Sequence, residues 1–171
     1  MGCLHKKPDY DMSRSLLRYD DNAKSIIFNF KYNDKTYLSN FFVKMMIAKY
    51  SSLIEDVDII TYVPMHKFKR IFRLYNQAWV LANAVAKASN KKLRPNLIIK
   101  KRNTKSQTTL SKTLRKTNLI DNFEVRTRLD GLKILLIDDV ITTGSTVNYC
   151  AKALKKQGAQ KVYILSIAKT Y

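Results

Sequence analysis

The run at positions 134–146, ILLIDDVITTGST, constrains the fold more than any other part of this 171-residue chain. It opens with a short apolar stretch rich in branched side chains, which is typical of a parallel strand covered on both faces. Two carboxylates, Asp138 and Asp139, follow the apolar stretch, and Gly144 then lies between hydroxyl side chains. Because parallel strands of α/β folds end at ligand-binding loops, the run predicts a strand, a binding loop and a helix in succession.

The loop in this run carries groups suited to phosphate. Gly144 can adopt a positive φ, and the start of the following helix presents backbone N–H groups that attract an anion. The predicted phosphate-binding residues are Thr142, Thr143, Gly144, Ser145 and Thr146. Asp138 and Asp139 would repel that anion, so we expect them to reach ribose hydroxyls or a Mg²⁺ shell further along the ligand. The run therefore predicts a site for a sugar phosphate.

A purely structural interpretation of the run is the alternative. In it, the two Asp residues only end a strand and Ser145 only caps a helix. Two other phosphate motifs are missing from the sequence, because it contains neither G-x-x-x-x-G-K-[ST] nor G-x-G-x-x-G. A P-loop and a dinucleotide fold are therefore not indicated.

Charge is the outlying feature of the composition. The formal net charge is +19, from 32 Lys and Arg against 13 Asp and Glu, and positions 67–120 contain no acidic residue. Such an excess favours a polyanionic partner, although an AT-rich coding bias toward Lys and Asn is an equally weighted explanation. Positive charge of one sign beside the predicted site could bind pyrophosphate, nucleic acid, or both.

Length and patterning predict one main domain. Residues 1–24 are expected to form an irregular lead-in and residues 25–171 the domain, a three-layer α/β fold with a mainly parallel central sheet. Cys3 and Cys150 are far apart in sequence, and no signal peptide or membrane-spanning stretch is evident, so we expect a cytoplasmic protein. The predicted elements are a strand or short helix at 25–32, a helix at 36–50, a strand at 57–63, a helix at 74–89, a strand at 97–100, a loop at 102–111, a strand at 133–137, a helix at 145–157 ended by Gly158, and a strand at 161–168.

The acidic pair followed by Thr-Gly-x-Thr resembles the phosphoribosyl pyrophosphate (PRPP) signature of type I phosphoribosyltransferases. The wider chain resembles the competence protein F (ComF) family. The blocks that carry this resemblance, in the family's order, are Arg18-Tyr19-Asp20-Asp21, Phe30-Lys31-Tyr32, Tyr62-Val63-Pro64-Met65-His66, Tyr75-Asn76-Gln77-Ala78, and Ser106-Gln107 with Leu110-Ser111.

The resemblance implies a role for each loop. It makes Asp138 and Asp139 the catalytic pair, which would hold the ribose and lie near a Mg²⁺ ion bound through PRPP. It implies a pyrophosphate loop formed by Pro64, Met65, His66 and Lys67, and a lid that includes Lys105, Ser106, Gln107 and Ser111. For His66, direct ligand contact and a plain surface position are equally weighted. Asn76 and Gln77 either orient the pyrophosphate loop or only cap a helix.

Two departures limit what the resemblance implies. Thr142 stands where hypoxanthine-type salvage enzymes carry an Asp before the Thr-Gly pair, so a base for a purine acceptor is not evident. ComF proteins usually begin with a four-cysteine zinc module. At its N-terminus this chain keeps only Cys3 and His5 as possible zinc ligands of that kind. Two ligands cannot close a structural zinc site, so we expect no structural zinc.

Three functions follow as hypotheses. The first is a phosphoribosyltransferase with an unidentified acceptor, and the second is a single-stranded DNA-handling protein in natural transformation. Lys100, Lys101 and Arg102 are the candidate DNA contacts for the second. The third is a regulator that senses PRPP without catalysis. The acceptor and the oligomeric state are not indicated by the sequence.

Overall fold

The computed structural model describes residues 7–32, 36–65, 76–100 and 122–170. Four helices and seven strands are described in this part of the chain. In chain order they are β1 (Met12–Arg18), α1 (Asp21–Tyr32), α2 (Thr36–Glu55), β2 (Ile59–Tyr62), α3 (Gln77–Ala88), β3 (Lys92–Leu93), β4 (Ile99–Lys100), β5 (Phe123–Glu124), β6 (Lys133–Ile141), α4 (Ser145–Lys156) and β7 (Lys161–Lys169).

The central sheet has five strands in the order β1-β7-β6-β2-β3, and every pair in it is parallel. β4 and β5 form a separate antiparallel pair. In the centre of the sheet, Leu136 of β6 lies opposite Thr61 of β2 and Ile164 of β7. The carboxyl ends of β2 and β6 therefore lie side by side, where ligand-binding loops are expected in a parallel sheet.

Two hydrophobic clusters cover the two faces of the sheet. Leu135 and Ile137 of β6 pack on one face with side chains of α1, α2 and α3. Ile134 and Leu136 pack on the opposite face with side chains of α4 and of the β4–β5 pair. These four β6 side chains are fully buried, and burial of each contributes about 1.5–3 kcal/mol. The predicted three-layer α/β fold with a parallel sheet is confirmed.

Several sequence predictions of local structure hold. The helix predicted from residue 145 is α4, and Gly158 follows it with φ of +95°, the left-handed conformation typical of a helix C′ residue. The last predicted strand is β7. The helix predicted at 36–50 extends to Glu55, with a kink at Tyr50, whose φ and ψ are −131° and 29°.

Two expectations need correction, and one open alternative is decided. The irregular lead-in expected over residues 1–24 is wrong for Met12–Arg18, which form β1 and pair with β7, and for Asp21 onward, where α1 begins. Of the two alternatives for 25–32, the structure is a helix. The strand expected to stop at Ile137 continues to Ile141, so it contains Asp138 and Asp139. Within the described residues, no helix has both the length and the apolar character needed to cross a membrane.

Candidate functional site

The acidic pair lies within the last part of β6 rather than in a loop. Asp138 Oδ1 accepts the backbone N–H of Asp139 at 2.9 Å, and Asp139 Oδ1 accepts the N–H of Val140 at 2.7 Å. Both residues are half-buried. Each carboxylate is thus oriented by the main chain of the next residue, so the strand itself fixes the pair.

The two carboxylates lie where the side-chain alternation of β6 is interrupted. Successive side chains of a regular strand point to opposite faces of the sheet. Ile134 and Leu136 pack toward α4, and Leu135 and Ile137 pack toward α1, α2 and α3. Further along β6, Ile141 packs in the α4 cluster and Val140 against the opposite cluster, which is the reverse of what strict alternation would give. The acidic pair therefore occupies the part of β6 where the alternation changes.

The predicted phosphate-binding residues occupy the loop between β6 and α4, at 142–144, and the first two positions of α4. Gly144 adopts φ of +74° immediately before α4 begins at Ser145. Thr143 Oγ1 and Ser145 Oγ lie 3.1 Å apart, and their hydroxyls are exposed together with those of Thr142 and Thr146. Gly144, the N-cap residue, makes no side-chain cap hydrogen bond, and the backbone N–H of Ser145 donates to Thr143 Oγ1 at 3.4 Å. Exposed hydroxyls and the amino end of a helix together form a surface suited to an anion.

The end of β2 lies next to the start of this segment. The backbone N–H of Val63 donates to the carbonyl oxygen of Ile137 at 3.0 Å. Pro64 and Met65 follow Val63 and are half-buried. The first two residues of the predicted pyrophosphate loop are therefore positioned at the same edge of the sheet as Asp138.

Asn76 links the first turn of α3 to the end of β2. Its Oδ1 accepts the N–H of Ala78 at 3.0 Å, and its Nδ2 donates to the carbonyl oxygen of Val63 at 3.2 Å. The sequence left open whether this residue caps a helix or orients the loop after β2. The structure shows the cap and, in addition, a direct contact with the residue before Pro64.

Lys100 lies close to the site rather than on an open surface. Its ammonium nitrogen is 5.4 Å from the ring centroid of Phe123, and its side chain is half-buried. Burial raises the pKa of the Cys150 thiol well above its usual range, with Asp138 adding to the rise and Lys100 opposing it. The thiol thus responds to both charges, which lie on the α4 face of the sheet.

Other predicted site residues lie outside the described residues. They are His66 and Lys67 of the pyrophosphate loop, Lys105, Ser106, Gln107 and Ser111 of the lid, Lys101 and Arg102 of the DNA contacts, and Cys3 and His5. Their roles stay predictions. The segment 66–75 joins Met65 to Asn76, and both of these residues are at the carboxyl edge of the sheet.

Sequence reasoning missed two features beside the site. Asn148, in the first turns of α4, accepts the N–H of Asp9 at 2.7 Å and donates from Nδ2 to Asp9 Oδ2 at 2.9 Å. Ser166 of β7 lies opposite Asp138 and is fully buried. No local pattern indicates either one, since the partners are 139 residues apart in the first case and on different strands in the second.

The donor set at the edge of β6 is compatible with Mg²⁺. Magnesium is usually held by one or two carboxylates together with water and the phosphates of a substrate. Asp138 and Asp139 are two such carboxylates. Within the described residues, no group of three or more His, Cys, Asp or Glu could hold a metal, so a Mg²⁺ ion here would depend on ligand oxygens for the rest of its coordination.

A family model described as "Phosphoribosyl transferase domain" matches residues 74–170, more than half of the chain. The chain belongs to this family. The matched region includes α3, β6, the loop at 142–146, α4 and β7.

Curated relatives extend the match to nearly the whole sequence. Competence protein F of Haemophilus influenzae is 26% identical over 98% of this chain and 77% of its own length. DNA utilization protein YhgH of Salmonella typhimurium is 27% identical over 98% of this chain and 76% of its own. The resemblance to the ComF family is confirmed.

Solved structures show the same fold. A glutamine PRPP amidotransferase from Bacillus subtilis superposes with a TM-score of 0.53 at 20% identity, covering 73% of this chain. This chain spans only 25% of that much longer enzyme. A purine phosphoribosyltransferase from Pyrococcus horikoshii gives a TM-score of 0.50 at 14% identity, covering 78% of this chain and 74% of its own.

Proposed function

We propose that the chain binds PRPP with Mg²⁺ at the carboxyl edge of β6 and transfers the phosphoribosyl group to an acceptor. The observation that carries the proposal is the continuity of the segment from Asp138 to Thr146. One stretch of chain supplies an oriented carboxylate pair, a loop turned by Gly144 at φ of +74°, exposed hydroxyls and a helix amino end. Membership of the phosphoribosyl transferase family supports the same assignment.

The proposed chemistry is departure of pyrophosphate from C1 of the ribose, which leaves positive charge on the sugar ring, as in glycoside transfer. Mg²⁺ would neutralise charge on the departing pyrophosphate. Asp138 and Asp139 stabilise the positive ring because their carboxylates are held in place before the reaction. The loop at 142–146 holds the 5-phosphate, and the backbone after Val63 faces the pyrophosphate.

The proton of the acceptor has no assigned base. Thr142, at the position before the Thr-Gly pair, is exposed and cannot accept a proton as a carboxylate can. An acceptor whose nucleophile carries no proton at neutral pH would need no base. A regulator that binds PRPP without transfer is the alternative consistent with the same site.

DNA handling is the second candidate function. The relatives named for competence and DNA utilization support it, as does the charge of the segments at 66–75 and 101–121. Those two segments hold ten Lys and Arg and one acidic residue, Asp121. Counterion release from nucleic acid phosphates would favour binding to such segments. Transfer and DNA handling can coexist in one protein.

The test is calorimetric binding of PRPP with Mg²⁺, combined with release of pyrophosphate in the presence of candidate bases and DNA. Changing both Asp138→Asn and Asp139→Asn should abolish release and remove most of the thermal shift caused by PRPP. Asn retains the Oδ1 acceptor, so the fold should persist. The matched control changes Glu55→Gln and Asp130→Asn, two exposed carboxylates that precede β2 and β6 at the amino edge of the sheet, and should leave the shift unchanged.

Single variants refine this test. Asp138 adds to the rise in the pKa of the Cys150 thiol of α4, the helix that begins at the phosphate loop, so Asp138→Asn and Asp139→Asn should differ in their effect on binding. An unchanged PRPP shift in the double variant would show that PRPP is not bound at β6. PRPP binding by the native protein without pyrophosphate release from any acceptor would support the sensing regulator.

A further inference from the structure

We propose that Asn76 is a positioning residue for the pyrophosphate end of the site. The inference rests on the proposed function and adds a residue to it. Asn76 holds the backbone of Pro64 and Met65 in register with Asp138, through a contact that is separate from its role as a helix cap.

A continuous series of hydrogen bonds carries this inference. The carbonyl oxygen of Ile137, directly before Asp138, accepts the N–H of Val63 at 3.0 Å. The carbonyl oxygen of Val63, directly before Pro64, accepts Asn76 Nδ2 at 3.2 Å. Asn76 Oδ1 then accepts the N–H of Ala78 at 3.0 Å in the first turn of α3. The series joins β6, the end of β2 and the start of α3.

The position of Val63 makes the Nδ2 contact important. Val63 is the last residue bonded to β6 before the chain leaves the sheet, and it is 7% exposed. Pro64 has no N–H and cannot extend the ladder. Beyond Val63, the path of the backbone is therefore set by contacts other than the β-ladder. One of these contacts is the hydrogen bond from Asn76 Nδ2 to the carbonyl oxygen of Val63.

The two roles of Asn76 use different atoms. The cap needs only a side-chain acceptor for the N–H of Ala78. The contact with the carbonyl oxygen of Val63 needs a side-chain donor that extends as far as Nδ2. Asn76→Ser keeps an acceptor for the cap and carries no charge, but its side chain is one atom shorter. Asn76→Ala removes both groups. The pair of variants therefore separates capping from positioning.

The expected results divide between stability and binding. Asn76→Ala should lower the unfolding midpoint because the helix cap is lost. Asn76→Ser retains a capping acceptor, so its unfolding midpoint should stay close to that of the native protein. Both variants should weaken PRPP with Mg²⁺ and inorganic pyrophosphate by roughly 3- to 10-fold, since each loses one hydrogen bond that orders the backbone. Ribose 5-phosphate should bind both variants as it binds the native protein, because its phosphate lies at the loop 142–146.

A cap elsewhere provides the matched control. Asp20 Oδ1 accepts the N–H of Ala23 at 2.8 Å at the start of α1. Asp20→Ala should lower the unfolding midpoint and leave the affinity for pyrophosphate unchanged. If Asn76→Ser binds pyrophosphate like the native protein, Asn76 is only a cap and the proposal is wrong.

Amide hydrogen exchange makes the test independent of the proposed function. In Asn76→Ser the Val63 amide should exchange faster than in the native protein, while the Ala78 amide stays protected by the cap. Equal exchange at Val63 in the two proteins would overturn the positioning role even if no ligand binds. Faster exchange at Val63 in a protein that does not bind PRPP would support the positioning of this backbone and refute the proposed function instead.

Discussion

The N–H of Val63 donates to the carbonyl oxygen of Ile137 at 3.0 Å, which joins the last residue before Pro64 to the residue directly before Asp138. Two segments predicted to bind opposite ends of one ligand are therefore joined by a main-chain hydrogen bond between adjacent strands. Both residues are buried, Ile137 completely. A site built on packed strands keeps its geometry better than one built on loops alone.

Gly144 provides a test of the phosphate loop. Its φ is +74°, and among the described residues a Cβ placed on it would meet only Ile141 Cγ2, at 3.9 Å, so Gly144→Ala introduces backbone strain without a steric clash there. The variant should lose about 1–2 kcal/mol of unfolding free energy. It should also bind PRPP more weakly, because relief of the strain turns the loop and the α4 amino end away from the phosphate.

Gly131→Ala is the control for that strain. Gly131 has the same φ of +74°, and it precedes β6 at the opposite end from Asp138. In the part of the chain that the structure describes, no atom lies within 4 Å of its added Cβ. Urea unfolding should show a similar loss for both variants. Calorimetry with PRPP should show weakening for Gly144→Ala alone. Equal affinities in the two variants would argue against phosphate binding at this loop.

The sequence predicted the parts of the fold that rest on local patterns. β6 and β7 are apolar runs buried on both faces, and Gly158 stands where a helix must end. β1 could not be predicted in the same way. Its sequence, MSRSLLR, buries only Leu16 fully, and it is a strand because it pairs with β7, which is about 150 residues later.

The same distinction between local and long-range contacts applies to the site. The site residues from Asp138 to Thr146 could be predicted because they are contiguous in the sequence and therefore lie next to one another in the structure. The position of the two carboxylates inside a strand could not be read in this way, since the apolar run ends at Ile137 while the strand continues to Ile141. The contact of Asn76 with Val63 depends on how α3 packs beside β2, which no local pattern encodes.

Acid should weaken one contact at the amino edge of the sheet. Hydrogen bonds from Lys133 and then Tyr163 lower the pKa of Asp56, and Lys133 Nζ lies 2.6 Å from Asp56 Oδ1. A carboxyl whose pKa is lower in the folded state stabilises the fold above its unfolded pKa of about 3.9. That contribution is lost as pH falls through the lower folded value.

A double-mutant cycle of Asp56→Asn and Lys133→Met measures this contact. Urea unfolding at pH 7 should give a favourable coupling between the two side chains, reduced by solvent because each side chain is more than one-third exposed. The coupling should fall toward zero as the pH is lowered below about 3.9. A coupling that stays constant down to the acid limit of folding would contradict the assigned ionic contact.

Single-stranded DNA should bind with a steep dependence on salt because neutralised phosphates release counterions. The change to test is Lys101→Glu with Arg102→Glu, leaving Lys100 in place because its ammonium packs over Phe123. The control is Lys152→Glu with Lys156→Glu, which makes the same charge change on the exposed face of α4. Fluorescence anisotropy should show weaker binding for the first variant on every DNA sequence.

Two outcomes would count against that surface. Affinity that does not change between low and physiological salt would exclude phosphate neutralisation as the main source of binding. Equal weakening in both charge-reversed variants would mean that DNA responds to net charge and not to the segment after β4.

Binding of PRPP and DNA should be coupled. Asp138 and Lys100 both act on the pKa of the buried Cys150 thiol, and Lys100 directly precedes the predicted DNA contacts, so we expect the two polyanions to compete for one positively charged region. We expect PRPP with Mg²⁺ to weaken DNA binding, and linkage then requires DNA to weaken PRPP binding by the same factor.

The measurement is titration of fluorescent single-stranded DNA with and without saturating PRPP at fixed ionic strength and fixed Mg²⁺. The variant Asp138→Asn with Asp139→Asn should show no such effect, because it no longer binds PRPP. Equal DNA affinities in the two native titrations would place the ligands on separate surfaces, and tighter DNA binding with PRPP would mean that PRPP orders a segment that DNA then contacts.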